Sequence, residues 1–469
     1  MGIDVYVQNE VGSSEYGFYY TIFNFAFIFQ ILLDMGITSY NNRNIAQNNH
    51  LLSKHFSSII ILRFLFAVAY MAVIMTVGWL LNYNPRQMYI LSIIGINQFL
   101  LALILYLRSN ISALLLFKTD SFLSILDRLL MIIICSVLLW GGITNQDFEI
   151  SWFVYSQTAA YGLTALTAFA LLVRRMEFKG LNWNPTFFML IVKKSFPYAL
   201  LFFLMGLYSR IDTVLIDLLL PITGELQSGI YASAFRLLDV ANNMSGFLFA
   251  GLLLPIFAKL ISEKKDLNQL VKLSFNILFL FSTAVAIVAY FYGEQIVQLL
   301  YHQHSTEQLS EYAIRISQTA NILKVLMLAF VFTSTTYIFG TLLTANGSLK
   351  KLNIVALIGV VISLTLNFLL IPQLQATGSA WANMTAQGVT ALLQIYIVFR
   401  VLPIRFEYNY LLRLTLFVLT TFILSWLSAY LPFHWIGKIS ILSASIVLSA
   451  FALRLLKIKT FFSILQNEK

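Results

Sequence analysis

The chain has 469 residues, 59% of them hydrophobic and only 11% charged, where an average soluble domain carries roughly 45–50% and about 25%. No water-soluble core holds such an excess, which includes 40 phenylalanines and a mean hydropathy of +0.81, so the chain reads as a polytopic membrane protein and soluble-enzyme classes are excluded. A net charge of +10 would suggest nucleic acid in a soluble protein; in a membrane protein it raises the question of which loops carry it, and no nucleic-acid partner is expected. The single cysteine, Cys135, lies in an apolar run, which leaves no intrachain disulfide and no cysteine-based metal site.

Apolar runs bounded by Pro, Gly, Asn and charge clusters predict thirteen spans, at about 18–40, 57–81, 87–107, 121–140, 151–173, 195–220, 229–256, 273–293, 312–342, 354–371, 378–399, 414–431 and 438–456. A short tail precedes the first. The outer loops are short, the longest running from about Gly293 to Glu311, too little for an external catalytic domain. The longest inner loop, Arg174 to Lys194, ends amphipathically with Phe187, Phe188, Leu190 and Ile191. It separates an N-terminal helical lobe, 1–173, from a C-terminal lobe, 195–400, with 174–194 as linker and 401–469 as two additional helices and a tail.

Lys and Arg in alternate loops sort to one side: 23 of the 30 fall in one set when Arg128 and Arg454 are counted with the loops they adjoin, only Arg86 and Lys438 in the other, and the other five lie within spans. The positive-inside rule makes the first set cytoplasmic, which puts the C-terminus inside and the N-terminal tail outside. Trp79, Trp140, Trp152, Trp381, Trp426 and Trp435 cluster near the outer ends as an interfacial belt.

An internal repeat supports two lobes. Ile3-Asp4-Val5, Gly12, Glu15 and Tyr16-Gly17 before span 18–40 parallel Ile211-Asp212-Thr213, Gly224, Glu225 and Gly229-Ile230-Tyr231 before span 229–256. Transporters are often built from duplicated halves with the substrate site between them.

No nucleotide-binding loop, His-Glu zinc motif or nucleophile elbow occurs, so neither a cofactor nor covalent chemistry is expected. The informative residues are the cations inside spans, Arg63, Arg210, Arg236, Arg315 and Lys324, each costing at least ~2.5 kcal/mol at a helix centre. Arg63 and Arg315 lie within two turns of a span end, close enough to snorkel. Arg210 lies ~15 Å from the outer end of its span and Arg236 at similar depth in the next; Lys324 sits on a polar stripe with Gln318 and Asn321. Internal pairing competes with substrate binding, because Asp239 is three residues from Arg236 and Asp212 two from Arg210. The candidate substrate-binding set is Arg210, Arg236, Lys324, Asp239 and Arg63.

Four stretches carry a resemblance to a known family. They are Glu15-Tyr16-Gly17 with Asp34-Met35-Gly36-Ile37 and Arg43-Asn44-Ile45-Ala46; Ile211-Asp212 with Gly229 to Arg236 and Leu254-Pro255; Gly340 to Gly347 with Lys350-Lys351; and Asn367 to Pro372 with Gly378-Ser379-Ala380 and Asn383. In order and spacing they resemble the Wzx-type polysaccharide and lipid-linked oligosaccharide flippases of the multidrug/oligosaccharidyl-lipid/polysaccharide exporter superfamily. The resemblance implies an all-α fold of two pseudo-symmetric six-helix lobes plus two C-terminal helices, and a cationic lining for a polyprenyl-pyrophosphate headgroup, which falls to Arg210 and Arg236. It also implies a helix before Ile3-Asp4, so about thirteen spans here are fourteen minus a first helix, from truncation or a start placed at an internal Met.

The expected function is a bacterial inner-membrane flippase that moves a polyprenyl-linked oligosaccharide outward by alternating access, for O-antigen, lipopolysaccharide, capsule or exopolysaccharide synthesis. Its expected partners are that substrate, membrane lipids, a polysaccharide polymerase and glycosyltransferases. A cation-coupled multidrug antiporter of the same fold would want buried acids rather than deep arginines. A membrane glycan polymerase or ligase would want a folded outer loop, which is lacking here.

Overall fold

The computed structural model describes residues 2–35, 51–114, 116–142, 146–174, 185–404 and 407–456. Within these the protein is all-helical and folds into two compact units, Met1–Gly229 and Ile230–Lys469. Ten described helices are long and apolar enough to cross a bilayer, and one bent pair makes an eleventh. Length and composition alone thus do not reproduce the expected thirteen.

The first unit contains α1 (Gly2–Ile28), α2 (Ile31–Asp34), α3 (Leu51–Leu80), α4 (Pro85–Ala113), α5 (Phe117–Trp140), α6 (Ile150–Val173), α7 (Pro185–Arg210), α8 (Asp212–Leu219) and the first residues of α9 (Gly224–Ser262). Helix α1 corrects the sequence reading, because the stretch expected as a tail is helical from Gly2 onward, with one break at Gly12 (φ 82°, ψ 164°). Gln8, Asn9 and Glu10 dilute its apolar signal, yet Ile3, Val5 and Val7 are buried and the Gln8 amide donates to the Gly229 carbonyl at 3.1 Å. Residues 36–40 of the expected first span, the Arg43 motif and 175–184 of the expected linker lie outside the described residues.

Local chemistry explains several helix starts. Pro85 opens α4, and Asn84 with Gln87 forms a reciprocal cap: the Asn84 side chain accepts the Gln87 N–H at 2.8 Å while the Gln87 side chain accepts the Asn84 N–H at 2.9 Å. Helices α7 and α8 meet at a 48° bend with one residue between them. The backbone bonds continue through it, Ile211 N–H to the Leu207 carbonyl and Leu215 N–H to that of Ile211, each 3.0 Å, so the bend orphans neither group.

The second unit continues α9 and adds α10 (Asn268–Leu300), α11 (Leu309–Ala345), α12 (Leu349–Leu374), α13 (Ala376–Val401), α14 (Tyr408–Ser428) and α15 (Trp435–Ala452). Asn367 ties α12 to α13: its amide donates to the Ser363 carbonyl at 2.9 Å and its oxygen accepts from the Ser379 hydroxyl at 2.5 Å. Beside them Gly378 lies so close to the Leu370 carbonyl that a side chain there would collide with backbone. The fourth family stretch is therefore a packing motif, with small residues at the crossing and buried amides answering one another. Cys135 is buried and unbridged, and Trp79, Trp140 and Trp426 are exposed, as side chains facing lipid should be.

Candidate functional site

In the first unit, the α7–α8 bend sets two charges where helix dipoles favour them. Arg210 closes α7 and Asp212 opens α8, a cation at a C-terminus and an anion at an N-terminus. Asp212 is buried. The Arg210 guanidinium stands against one face of α1, 3.5 Å from both the Tyr20 hydroxyl and the Asn24 side-chain oxygen and 4.9 Å above the Phe27 ring. These three sit at i, i+4 and i+7, the spacing that puts side chains on one face of a helix. Asn24 also donates to the Thr213 hydroxyl at 3.1 Å, which locks α1 to the start of α8.

Phe27 also lines a cavity of about 440 Å³ that includes Gln30, Asp34, Ala102, Phe202 and Gly206. Asp34 is held there by Arg63 at 2.5 Å. Contrary to the snorkelling expectation, Arg63 is only 2% exposed: it also donates to the Ala102 carbonyl at 3.2 Å and lies 4.5 Å from the Tyr106 ring centre. The first unit therefore brings Arg210 and the Arg63–Asp34 pair to the margin of one cavity, by way of Phe27 and Asp34. The sequence named Asp34 but not its partner, because pairing between α2 and α3 has no fixed spacing.

The family model described as "Polysaccharide biosynthesis protein" matches residues 1–261, which covers α1 through α8, the cavity and most of α9. The chain belongs to that family. No curated protein sequence shows a match. Among solved structures, the lipid II flippase MurJ in an inward closed conformation superposes with a TM-score of 0.72 at 15% identity, covering 96% of each chain. An inward-facing multidrug resistance MATE family transporter of the MOP superfamily gives 0.68 at 14% identity, covering 85% of this chain and 93% of that one. A MOP superfamily transporter from Pyrococcus furiosus, described as having a binding pocket of reversed polarity, gives 0.60 at 14% identity over 85% and 90%. At such identities the likeness is one of fold. This member of the polysaccharide biosynthesis family has the fold of MOP-superfamily membrane transporters.

The family member's other candidate residues lie in its second unit. Arg236 is buried in α9 and Asp239 is half-buried one turn further on. Lys324 is half-buried on α11, donates to the Asn321 side chain at 3.3 Å and lies 5.8 Å from the Tyr290 ring centre of α10. Tyr290, on a different helix, has no spacing in the sequence that marks it as a partner of Lys324. Arg315 is structural rather than snorkelling: Glu307 holds it through bonds of 2.7 and 2.8 Å and the His302 carbonyl accepts from it at 2.9 Å, which pins the turn before α11.

Proposed function

We propose that this protein is a flippase that moves a polyprenyl-pyrophosphate-linked oligosaccharide across the bacterial inner membrane by alternating access, supplying the synthesis of a polysaccharide such as O-antigen, capsule or exopolysaccharide. The observation that carries the reading is the setting of Arg210. A guanidinium at a broken membrane helix, bordered by a tyrosine hydroxyl, an amide and an aromatic ring, suits a headgroup of phosphate oxygens followed by sugar hydroxyls.

Arg210 acts as the phosphate fork, and Tyr20 and Asn24 answer the first sugar. Within the second unit Arg236, Lys324 and Asp239 are the candidate substrate contacts, two cations suited to phosphate oxygens and a carboxylate suited to hydroxyls. Arg63 contributes by holding Asp34 at the cavity margin. The lipid tail stays in the bilayer, so the pathway has only to replace water around sugar and diphosphate. The family match and the MurJ and MATE neighbours support transport of this kind. The C-terminus is cytoplasmic in this reading, and the polymerase and glycosyltransferases act on either side of the flip.

Glycan export tests the reading. Arg210→Ala and Arg236→Ala should each abolish export at normal protein abundance, and Arg210→Lys should lower it ~10-fold or more, since a lysine keeps the charge but not the fork, a difference of order 1.5–3 kcal/mol. Full export from a variant with Arg236 and Asp239 both replaced by a neutral pair would defeat the substrate role of Arg236.

A further inference from the structure

At one end of the second unit, Lys272 on α10, Glu407 and Arg413 at the start of α14 and Arg454 just past α15 surround a polar cavity of about 350 Å³. Lys272 is already neutralised by Glu407 at 3.0 Å. Arg413 and Arg454 are exposed, and their guanidinium groups have no ion-pair or hydrogen-bond partner among the described residues. The cavity floor is built: the Tyr410 hydroxyl donates to the Asn276 oxygen at 2.6 Å, and the buried Asn276 amide donates to the Leu455 carbonyl at 2.8 Å. Arg454 stands at φ +56°, a left-handed position closing α15 where glycine would be unstrained. Strain held at a non-glycine residue points to a use for its side chain.

The same three helices, with α9 and α11, line an apolar cavity of about 600 Å³. Its lining continues that of the polar cavity along the chain: Ile277 follows Asn276, Leu456 follows Leu455, and Phe417 lies one turn beyond Arg413. A cationic recess at helix ends thus leads into an apolar trough, the shape of an amphiphile with an anionic head.

We propose that the α10–α14–α15 recess is a binding site for an anionic glycerophospholipid, with its phosphate between Arg413 and Arg454, its polar headgroup against Asn409 and Glu407, and its acyl chains in the apolar trough. Basic pockets between membrane helices recognise phosphate headgroups in this way. A polyprenyl diphosphate shares the chemistry, but two exposed arginines hold an anion weakly. That suffices to retain an abundant bilayer lipid and not to capture a scarce intermediate. The site is independent of the flippase reading.

Native mass spectrometry on the full-length protein in detergent tests the site, with phosphatidylglycerol, phosphatidylcholine of the same chains and undecaprenyl diphosphate as probes. Phosphatidylglycerol should bind at least 5-fold more tightly than phosphatidylcholine, and an Arg413→Gln/Arg454→Gln variant of unchanged helicity should lose that preference. Arg454→Gly, which relieves the backbone, should melt no lower than the unaltered protein in lipid-free detergent and still bind less phosphatidylglycerol. Equal binding of the two phospholipids, an unchanged preference in both variants, or displacement of phosphatidylglycerol by equimolar undecaprenyl diphosphate would overturn the proposal.

Discussion

Gly17 and Gly229 pack reciprocally: a β-carbon on Gly17 would strike the Glu225 carbonyl, and one on Gly229 would strike the Ser13 carbonyl. The two glycines correspond in the internal repeat, and the carbonyl that each meets, of Glu225 or Ser13, lies four residues before the other glycine. Each helix thus presents its glycine to the other's preceding turn. Gln8 donates to the Gly229 carbonyl from the same crossing, and Ser14 reaches Glu225 at 3.4 Å. Close backbone approach at small residues is how helices associate where water cannot drive them together.

Gly17→Ala and Gly229→Ala should therefore both destabilise. The colliding atoms are backbone, which cannot swing aside, so a cost of 1–3 kcal/mol or more is expected for each. Melting temperature in detergent and membrane abundance measure it, and a Gly206→Ala control, which meets open space, should leave both unchanged.

The Arg63–Asp34 pair makes a second prediction. Asp34→Asn leaves a nearly fully buried guanidinium without its carboxylate, a loss of about 3–5 kcal/mol in comparable buried pairs, so protein abundance should fall with export. Replacing both by Leu and Asn should recover abundance, since the uncompensated charge is gone. Export that recovers equally would show the pair to be structural only.

What the sequence disclosed and what it hid divide along physical lines. Composition and run length revealed the membrane class, and the polar stripe of Gln318, Asn321 and Lys324 survives as a real contact between Asn321 and Lys324, because helical spacing fixes which side chains meet. The Glu15-Tyr16-Gly17 motif was legible as a family mark but not as a mechanism. Glu15 grips Arg86 through bonds of 3.0 and 2.6 Å, Tyr16 is fully buried and Gly17 makes the crossing. Partners separated by long stretches of chain, such as Glu15 with Arg86 or Arg63 with Asp34, have no periodicity to betray them. Hydropathy hides the helical start of α1 because it counts Gln8 as exposed, whereas Gln8 is buried and its amide is bonded to the Gly229 carbonyl.

Stability should depend on acid through Glu307. Partial burial alone would raise its carboxyl pKa, but the Arg315 guanidinium and the His304 N–H outweigh this and hold it below the ordinary value of 4.5. A carboxylate depressed on folding contributes stability that is fully present above the unfolded value and is lost as pH falls through the lower folded one. Melting temperature should thus fall between about pH 5 and pH 3, and Glu307→Gln should flatten that part of the profile while lowering the plateau at neutral pH. An identical acid slope in the variant would show that the Arg315 contact carries no linkage.

The orientation of the chain rests on 23 basic residues in one set of loops against two in the other, and both exceptions are engaged locally. Arg86 is paired with Glu15 and lies 4.5 Å from the Phe18 ring centre, while Lys438 caps α14 by donating to the Ala429 carbonyl at 2.7 Å. In a Cys135→Ala background, an impermeant maleimide added to intact cells should label Gln146→Cys and Ser305→Cys, both exposed in loops of the sparse set. It should leave Ser262→Cys, exposed beside Lys264 and Lys265, unlabelled until the cells are opened. In the proposed orientation, with the basic loops inward, Lys272, Arg413 and Arg454 would lie at the cytoplasmic ends of their helices. Labelling of Ser262→Cys in sealed cells, with Ser305→Cys protected, would invert the orientation and with it the direction of transport proposed for Arg210.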